Sequence, residues 1–279
     1  MRRLRGFAVL HPVPSLLVAL AVAALARVAD ASPRDALVLA TGMFGFQVSI
    51  GALNDIADME RDRLARPDKP LPAGVVPVRA AWAVAIIGAA GGLIVSASFG
   101  PAVLLVGLVG AGSGYAYDLA ARPLGLGWLA FALALPALLV WVWLAAAGTL
   151  PPQAQLLLPL AALAGPAVHL ANSMADAAVD RRSGAASLAT RLGPRRSAAV
   201  LLGLDALIWA LAWISLAREG SLSTEALLTL SVATGMAATG ALLSVWPRTA
   251  ASDAGWTLAA AALALLAVTW VATLGAVPA

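Results

Sequence analysis

Residues 36–63 read ALVLATGMFGFQVSIGALNDIADMERDR. No charge interrupts the run from Ala36 to Asn54; the chain then meets Asp55, Asp58, Glu60, Arg61, Asp62 and Arg63 within nine positions. About 20 consecutive apolar residues are what a helix needs to cross a bilayer. A membrane span ending in a knot of carboxylates therefore sets the frame for the rest of the chain. The 279 residues are 61% hydrophobic and 11% charged, whereas soluble domains carry about 25% charged residues. That balance excludes an ordinary soluble globule and a disordered chain, which lacks apolar surface. There is no cysteine, which excludes disulfides, thiolate metal sites and cysteine nucleophiles.

Working outward, apolar runs between charged or Pro/Gly breaks give nine expected spans: 10–29, 36–57, 79–99, 101–118, 124–147, 153–178, 195–217, 224–246 and 254–276. The third and fourth are parted by little more than Gly100-Pro101. Together they exceed one bilayer thickness, so the break belongs there. With nine spans, the side holding the N-terminus collects 15 of the 18 basic residues: Arg2, Arg3, Arg5, Arg61, Arg63, Arg66, Lys69, Arg79, Arg122, Arg181, Arg182, Arg191, Arg195, Arg196 and Arg248. Only Arg27, Arg34 and Arg218 fall opposite. The positive-inside rule then puts the N-terminus in the cytoplasm. The basic excess is accounted for by this topology rather than by nucleic-acid binding. The first apolar run holds Pro12 and Pro14 and lacks a small-residue cleavage site, so a cleavable signal peptide is not expected. Seventeen Arg to one Lys, with abundant Ala and Gly, points to a GC-rich bacterial genome and a bacterial inner membrane.

The carboxylates repeat. Span two ends in Asn54-Asp55-Ile56-Ala57-Asp58-Met59-Glu60-Arg61-Asp62-Arg63, and span six in Asn172-Ser173-Met174-Ala175-Asp176-Ala177-Ala178-Val179-Asp180-Arg181. At an offset of 118 residues Asn, Ala, Asp, Asp and Arg coincide. This suggests a single domain, 1–279, of two pseudo-repeat halves, about 1–122 and 123–279, facing each other across a cavity. Asn54, Asp58 and Asp62 stand at i, i+4 and i+8, which puts them on one helical face, and Asn172, Asp176 and Asp180 do the same. Ionisable residues at membrane depth are costly and face a bundle interior or a watery cavity. Converging carboxylates repel one another unless a cation relieves them. Hard oxygen donors suit Mg²⁺, which binds through one or two carboxylates plus substrate phosphates. Two such faces fit two Mg²⁺ ions on a diphosphate. Half of the acids in the chain lie in or beside these segments (Asp55, Asp58, Glu60, Asp62, Asp68, Asp176, Asp180).

The nearby bases suit an anion. Arg66-Pro67-Asp68-Lys69-Pro70-Leu71-Pro72-Ala73-Gly74 follows the first face, and its prolines stiffen the loop that carries Arg66 and Lys69. Tyr115, Tyr117, Asp118 and Arg122 end span four on the same side. A tyrosine hydroxyl beside a guanidinium makes a diphosphate clamp. His169 precedes Asn172 by one turn, which could turn it to the cavity, but a packing histidine is the favoured reading; Asp205, in span seven, reads as a partner in an interhelical hydrogen bond or as a protonated acid. Of the nine Trp, Trp128, Trp141 and Trp143 read as interface anchors.

These motifs resemble those of the UbiA family of intramembrane prenyltransferases. The first is N-D-x-x-D-x-x-x-D followed by R-P-x-K-P-L-P-x-G, at 54–74. The second is D-x-x-x-D followed by D-R-x-x-G and a T-R-L-G run, at Asp176, Asp180, Gly184 and 190–193. The third is a tyrosine-to-base motif at Tyr117 and Arg122. The resemblance covers the first seven spans. It implies an all-α integral membrane protein, nine transmembrane helices around a central cavity, that transfers a prenyl or polyprenyl group from its diphosphate to an acceptor with Mg²⁺ as cofactor. By position, Asn54, Asp58 and Asp62 would bind one metal and Asp176 and Asp180 the other, with Asn172 beside them. Arg66, Lys69, Tyr117 and Arg122 would grip the diphosphate. Asp55 would support the metal, take a proton on the acceptor side or replace Asn54 as ligand. The implied partners are the prenyl diphosphate, an aromatic or lipid-related acceptor and membrane lipid, with no nucleic acid and no protein partner. The chain departs from the family at three points. Ser173 stands where many members have Asp. Tyr117 to Arg122 is one residue longer than the usual Y-x-x-x-K. His11-Pro12 replaces an Arg-Pro of hydroxybenzoate-type members.

Under this reading, metal ions and bases stabilise the departing diphosphate while a dry cavity protects the allylic cation from water. Phe44, Phe46 and Tyr115 are candidates to face that cation. Two other classes compete. Carboxylates at depth and internal repeats also mark secondary transporters. The acids here gather at the cytoplasmic helix ends inside a basic ring, which favours a phosphate ligand. A phosphoribosyl or phospholipid-head-group transferase of the CDP-alcohol type would carry D-G-x-x-A-R, and no Asp-Gly occurs.

Overall fold

Proline punctuates this chain. In the computed structural model, which describes residues 7–122, 124–151, 154–183, 187–218, 222–244 and 249–275, prolines open α1 (Pro12–Val28), α2 (Pro33–Ala57), α5 (Pro101–Ala116) and α9 (Pro194–Arg218). The first turn of a helix has no use for the amide hydrogen that proline lacks. α4 (Val78–Ser98) follows Pro77 directly, and Gly100, at φ 112°, makes the expected break before Pro101. The remaining helices are α3 (Met59–Ala65), α6 (Gly127–Ala147), α7 (Ala154–Ser183), α8 (Leu188–Leu192), α10 (Thr224–Ser244) and α11 (Thr249–Gly275). Arg2, Arg3, Arg5, Gly184 and Arg248 lie outside the described residues.

The fold is all-helical, with no strand among the described residues. Eight of its helices are long and apolar enough to cross a membrane. The ninth expected span falls on α11, where the described apolar stretch is the shorter Thr257–Trp270. Large apolar side chains such as Leu20, Ile87, Ile94, Leu105 and Leu242 stand exposed on the outer surface. For a chain of this composition lipid is their solvent.

The helices form a ring. α1 packs on α2, α5 on α6, α6 on α7, and α11 against both α7 and α1, so the last helix meets the first. α4 and α10 stand outside, packed chiefly on α2 and α11 respectively, and glycine takes part in both contacts. A Cβ on Gly88 of α4 would lie 2.6 Å from the Gly45 carbonyl oxygen of α2. A Cβ on Gly240 of α10 would lie 2.8 Å from the Gly255 oxygen of α11. Close backbone approach at small residues is how helices associate where lipid removes the hydrophobic drive.

Three sequence expectations change. Trp141 and Trp143 are not interface anchors: both are at most 4% exposed in the core, and Trp141 donates its indole N–H to Ser96 Oγ at 3.0 Å. A buried indole requires such a partner. Span six runs on as helix to Ser183, past its expected end at 178, and Asp180 stands on that extension. Of the two readings for Asp205, the interhelical hydrogen bond is not made at Oδ2, which is buried without a partner.

Candidate active site

The first acidic segment bends. α2 ends at Ala57, Asp58 sits at φ −88°, ψ 0°, and α3 begins at Met59. That conformation is sparsely populated and recurs at active sites. The amide ladder continues across the bend, from Asp58 N to the Asn54 oxygen (2.9 Å) and Asp62 N to the Asp58 oxygen (2.8 Å). The side chains nonetheless divide, so the straight face expected for Asn54, Asp58 and Asp62 is not kept. Asn54 and Asp58 line the central cavity. Asp62 turns instead toward Lys69, whose Nζ donates to Asp62 Oδ2 at 2.6 Å and to Asp55 Oδ1 at 3.1 Å. His11 Nε2 lies 3.1 Å from the other Asp55 oxygen. Burial by itself would lower the Lys69 ammonium, but the charges of Asp55 and Asp62 outweigh it and hold the group above its ordinary value.

The second segment stays straight. Asn172, Asp176 and Asp180 all project from α7. Asp176 is bound by Arg66, and Arg122 Nη2 lies 3.9 Å from its other oxygen. Asp180 Oδ1 accepts from Arg61 Nη1 at 2.9 Å. Burial raises the Asp180 carboxyl above its usual range, against a hydrogen bond with Ser187 and the Arg61 charge.

Arginines join the two segments. Arg122 Nη1 reaches Asp58 Oδ2 at 2.5 Å, and Arg61 Nη2 reaches the same oxygen at 2.8 Å. Asp58, Asp176 and Asp180 are thereby gathered around Arg61, Arg66 and Arg122. Among the described residues, no three acidic, histidine or cysteine side chains converge as a ready metal cage.

The third motif is shaped by a π-helical turn, Tyr117–Ala121, where Arg122 N bonds the Tyr117 carbonyl at 2.9 Å. This i to i+5 bond absorbs the extra residue between Tyr117 and Arg122, and π turns of this kind cluster at functional sites. It leaves the Arg122 guanidinium 6.0 Å from the Tyr117 ring centroid. The Tyr117 ring meets Phe131 edge-on at 5.2 Å and His169 at 5.5 Å. His169 is buried there, as a packing histidine would be.

Three residues escaped the sequence reading. Arg61 looked like one charge in a run of charges. His11 was read only as a departure from the Arg-Pro of some family members. Asp118 looked like a helix end, yet it is buried against the site: Asn54 Nδ2 donates to its Oδ1 at 2.7 Å, while its Oδ2 has no hydrogen-bond partner. An acid just inside a span boundary was the available signal for Asp118.

The cavity behind these groups measures about 1030 Å³. Its polar end holds Asn54, Asp58, Arg61, Arg66, Arg122 and Asp176. Its body is apolar, lined by residues such as Met43, Leu139, Trp141, Ile208 and Trp270. Phe46 lines it too, edge-on to Trp141 at 6.4 Å, whereas the Tyr115 hydroxyl is engaged with Ser49 Oγ at 2.8 Å. Beside the polar end is a chamber of about 10 Å³, lined by His169, Ser173, Asp180 and Ser187 among others. That is room for about one water.

Comparison with solved structures finds the same fold. A UbiA homologue from Archaeoglobus fulgidus bound to GPP and Mg²⁺ matches with TM-score 0.69 at 19% identity, over 95% of this chain and 99% of that one. The apo structure of a UbiA homologue from Aeropyrum pernix K1 matches with TM-score 0.70 at 23% identity, over 95% and 96%. A digeranylgeranylglyceryl phosphate synthase matches with TM-score 0.67 at 15% identity, over 97% of each chain. No curated protein sequence matches the chain. The model of the UbiA prenyltransferase family matches residues 15–266, and the chain belongs to that family.

Proposed function

We propose that this protein transfers a prenyl or polyprenyl group from its diphosphate to an aromatic or lipid-related acceptor, with Mg²⁺ as cofactor, in a bacterial inner membrane. The observation that carries the reading is the cavity of about 1030 Å³, charged at one end and apolar along the rest. A prenyl diphosphate has that same division. A similar fold binds GPP and Mg²⁺ in the Archaeoglobus homologue. A transporter would need no such concentration of guanidinium groups at one end of a long apolar chamber.

The donor set fits magnesium. Asn54, Asp58, Asn172 and Asp176 are hard oxygen or amide ligands at the cavity wall, and Asp62 Oδ1 is buried without a partner. Magnesium asks for one or two carboxylates and completes its shell with phosphate and water, so a closed protein cage is not required. In this reading Asn54, Asp58 and Asp62 serve one ion and Asn172, Asp176 and Asp180 the other. When bound, the ions would offset the charge that grows on the departing diphosphate. Arg66 and Arg122, released from Asp176 and Asp58, bind its oxygens, with Lys69 and the Tyr117 hydroxyl beside them. The apolar walls hold the isoprenoid tail and exclude water from the allylic centre. Asp55, shared by His11 and Lys69, keeps Lys69 in position. Nine spans with a cytoplasmic N-terminus agree with the 15:3 sorting of basic residues and put the charged end on the cytoplasmic side. The matching Asn172 and Asn54 segments reflect two pseudo-repeat halves, about 1–122 and 123–279.

The test is direct. Purified protein in lipid nanodiscs should bind radiolabelled geranyl or farnesyl diphosphate only when Mg²⁺ is present, and EDTA should release the ligand. Binding that persists in chelator would remove the metal from the reading. An absence of binding with a full range of prenyl diphosphates would remove the reading itself.

A further inference from the structure

Asp180 is not among the residues that line the large cavity. It is 2% exposed, lines the one-water chamber, and is bound by Arg61, which itself lines the cavity wall. The Arg61 guanidinium lies flush against both repeats, donating to Asp180 Oδ1 at 2.9 Å and to Asp58 Oδ2 at 2.8 Å. Its Nε is buried without a hydrogen-bond partner. Two of its nitrogens thus hold one carboxylate from each acidic segment, and each of these carboxylates is one that would serve a metal ion.

We propose that Arg61 is a built-in counterion of the metal site, occupying the carboxylates Asp58 and Asp180 until metal and prenyl diphosphate arrive together. This rests on the two-metal reading above and adds a residue that reading does not use. A cation entering alone must displace a guanidinium from two carboxylates and leave that guanidinium with no anion. A cation entering with a diphosphate gives the guanidinium a better partner, because a planar fork binds phosphate oxygens in pairs. The exchange links the two ligands: metal tightens diphosphate, and diphosphate tightens metal by the same factor. The placement of Arg61 makes this exchange local. It stands on α3, one turn beyond the bend at Asp58, so a small rotation of a seven-residue helix moves it from the carboxylates toward the cavity.

The prediction is a pair of opposite effects, which a merely structural residue would not produce. The full chain in nanodiscs is titrated with Mn²⁺, read as loss of the free-ion paramagnetic resonance signal, with and without geranyl diphosphate. In the unaltered protein, geranyl diphosphate should tighten Mn²⁺ by about tenfold or more, within the usual range of coupling between sites. Arg61→Gln should bind Mn²⁺ alone more tightly, by about tenfold, and geranyl diphosphate more weakly, so that the coupling shrinks. Arg61→Lys, which keeps the charge but not the fork, should shift both in the same directions by less, and it serves if the glutamine variant does not elute as a folded monodisperse protein. Mn²⁺ affinity without diphosphate that is unchanged or weaker in these variants overturns the proposal. If the unaltered protein binds no geranyl diphosphate under any condition, the prenyltransferase reading fails; if it binds both ligands and only the Arg61 effect is missing, that reading stands and this proposal alone falls.

Discussion

The two acidic segments share their letters and differ in shape. At Asn172–Asp180 one unbroken helix, α7, presents every polar side chain from a single rod. At Asn54–Asp62 the rod breaks at Asp58, and the carboxylates part company, two going to Lys69 and one remaining at the cavity. The difference lies in the residues next along the chain. After the first segment come Arg66, Lys69 and three prolines, a stiff loop that folds back and brings a cation to the helix end. After the second comes Arg181, with the short α8 beyond it and no lysine. Repeated letters therefore give one straight acidic helix and one bent acidic segment that carries its own lysine counterion.

The largest way to break this comparison is to remove the carboxylates that meet at the centre. Asp58→Ala and Asp176→Ala should each lower prenyl transfer by about 10²–10³-fold, the scale of losing one charge-stabilising group. Release of diphosphate from labelled geranyl diphosphate measures this, and equal losses would show that the bent and straight halves contribute alike. A loss at one position only would make the halves functionally distinct.

Next in size is the counterion that only the first half owns. Lys69→Met leaves Asp55 and Asp62 without their shared ammonium, and breaking a buried pair costs about 3 kcal/mol. Thermal unfolding in detergent should show the loss. The pH dependence has a defined sign. The folded pKa of Lys69 is raised, so its contribution is complete below the ordinary lysine value near 10.4 and fades as pH climbs through the higher folded value. The alkaline fall in melting temperature should therefore be shallower in Lys69→Met than in the unaltered protein.

A smaller change makes the two segments match in letters. Ser173→Asp would supply the second half with the Asn-Asp pair of the first. Ser173 is buried beside a one-water chamber that already holds Asp180. An added carboxylate without a lysine should destabilise the protein by about 1–3 kcal/mol. Full stability would mean that the chamber admits a cation of its own. The smallest effect belongs to Asp205→Asn, far from both segments. Its carboxyl has an unpartnered buried oxygen, so transfer should be unchanged and the melting temperature equal or higher.

The spans were legible because lipid imposes one rule on every residue of a helix, and apolar length alone reports it. Gly100-Pro101 was legible for a similar reason, since proline and glycine limit the backbone locally. The bend at Asp58 was not. An i, i+4, i+8 pattern reads the same in a straight helix and in two helices joined by one residue, and the Lys69 contacts that accompany the bend are made across space. Trp141 was misread because a tryptophan near a helix end suits either an interface or a core, and its hydrogen bond to Ser96, on another helix, is invisible in sequence. Arg61 was hidden by its neighbours: within a run of charges, nothing in the order of residues says which one turns inward.

The ring has a consequence for how the protein comes into being. Its cavity is walled on one side by α1 and on another by α11, the first and last helices of the chain, which touch only when both exist. At about 5–20 residues per second of synthesis, the final wall follows the first by on the order of ten seconds or more. Throughout that interval the bundle lacks one wall, and the apolar residues that will line the cavity face their surroundings. The contact of α11 with α1 is therefore the one that closes the cavity, and a chain cut short of α11 keeps an open trough.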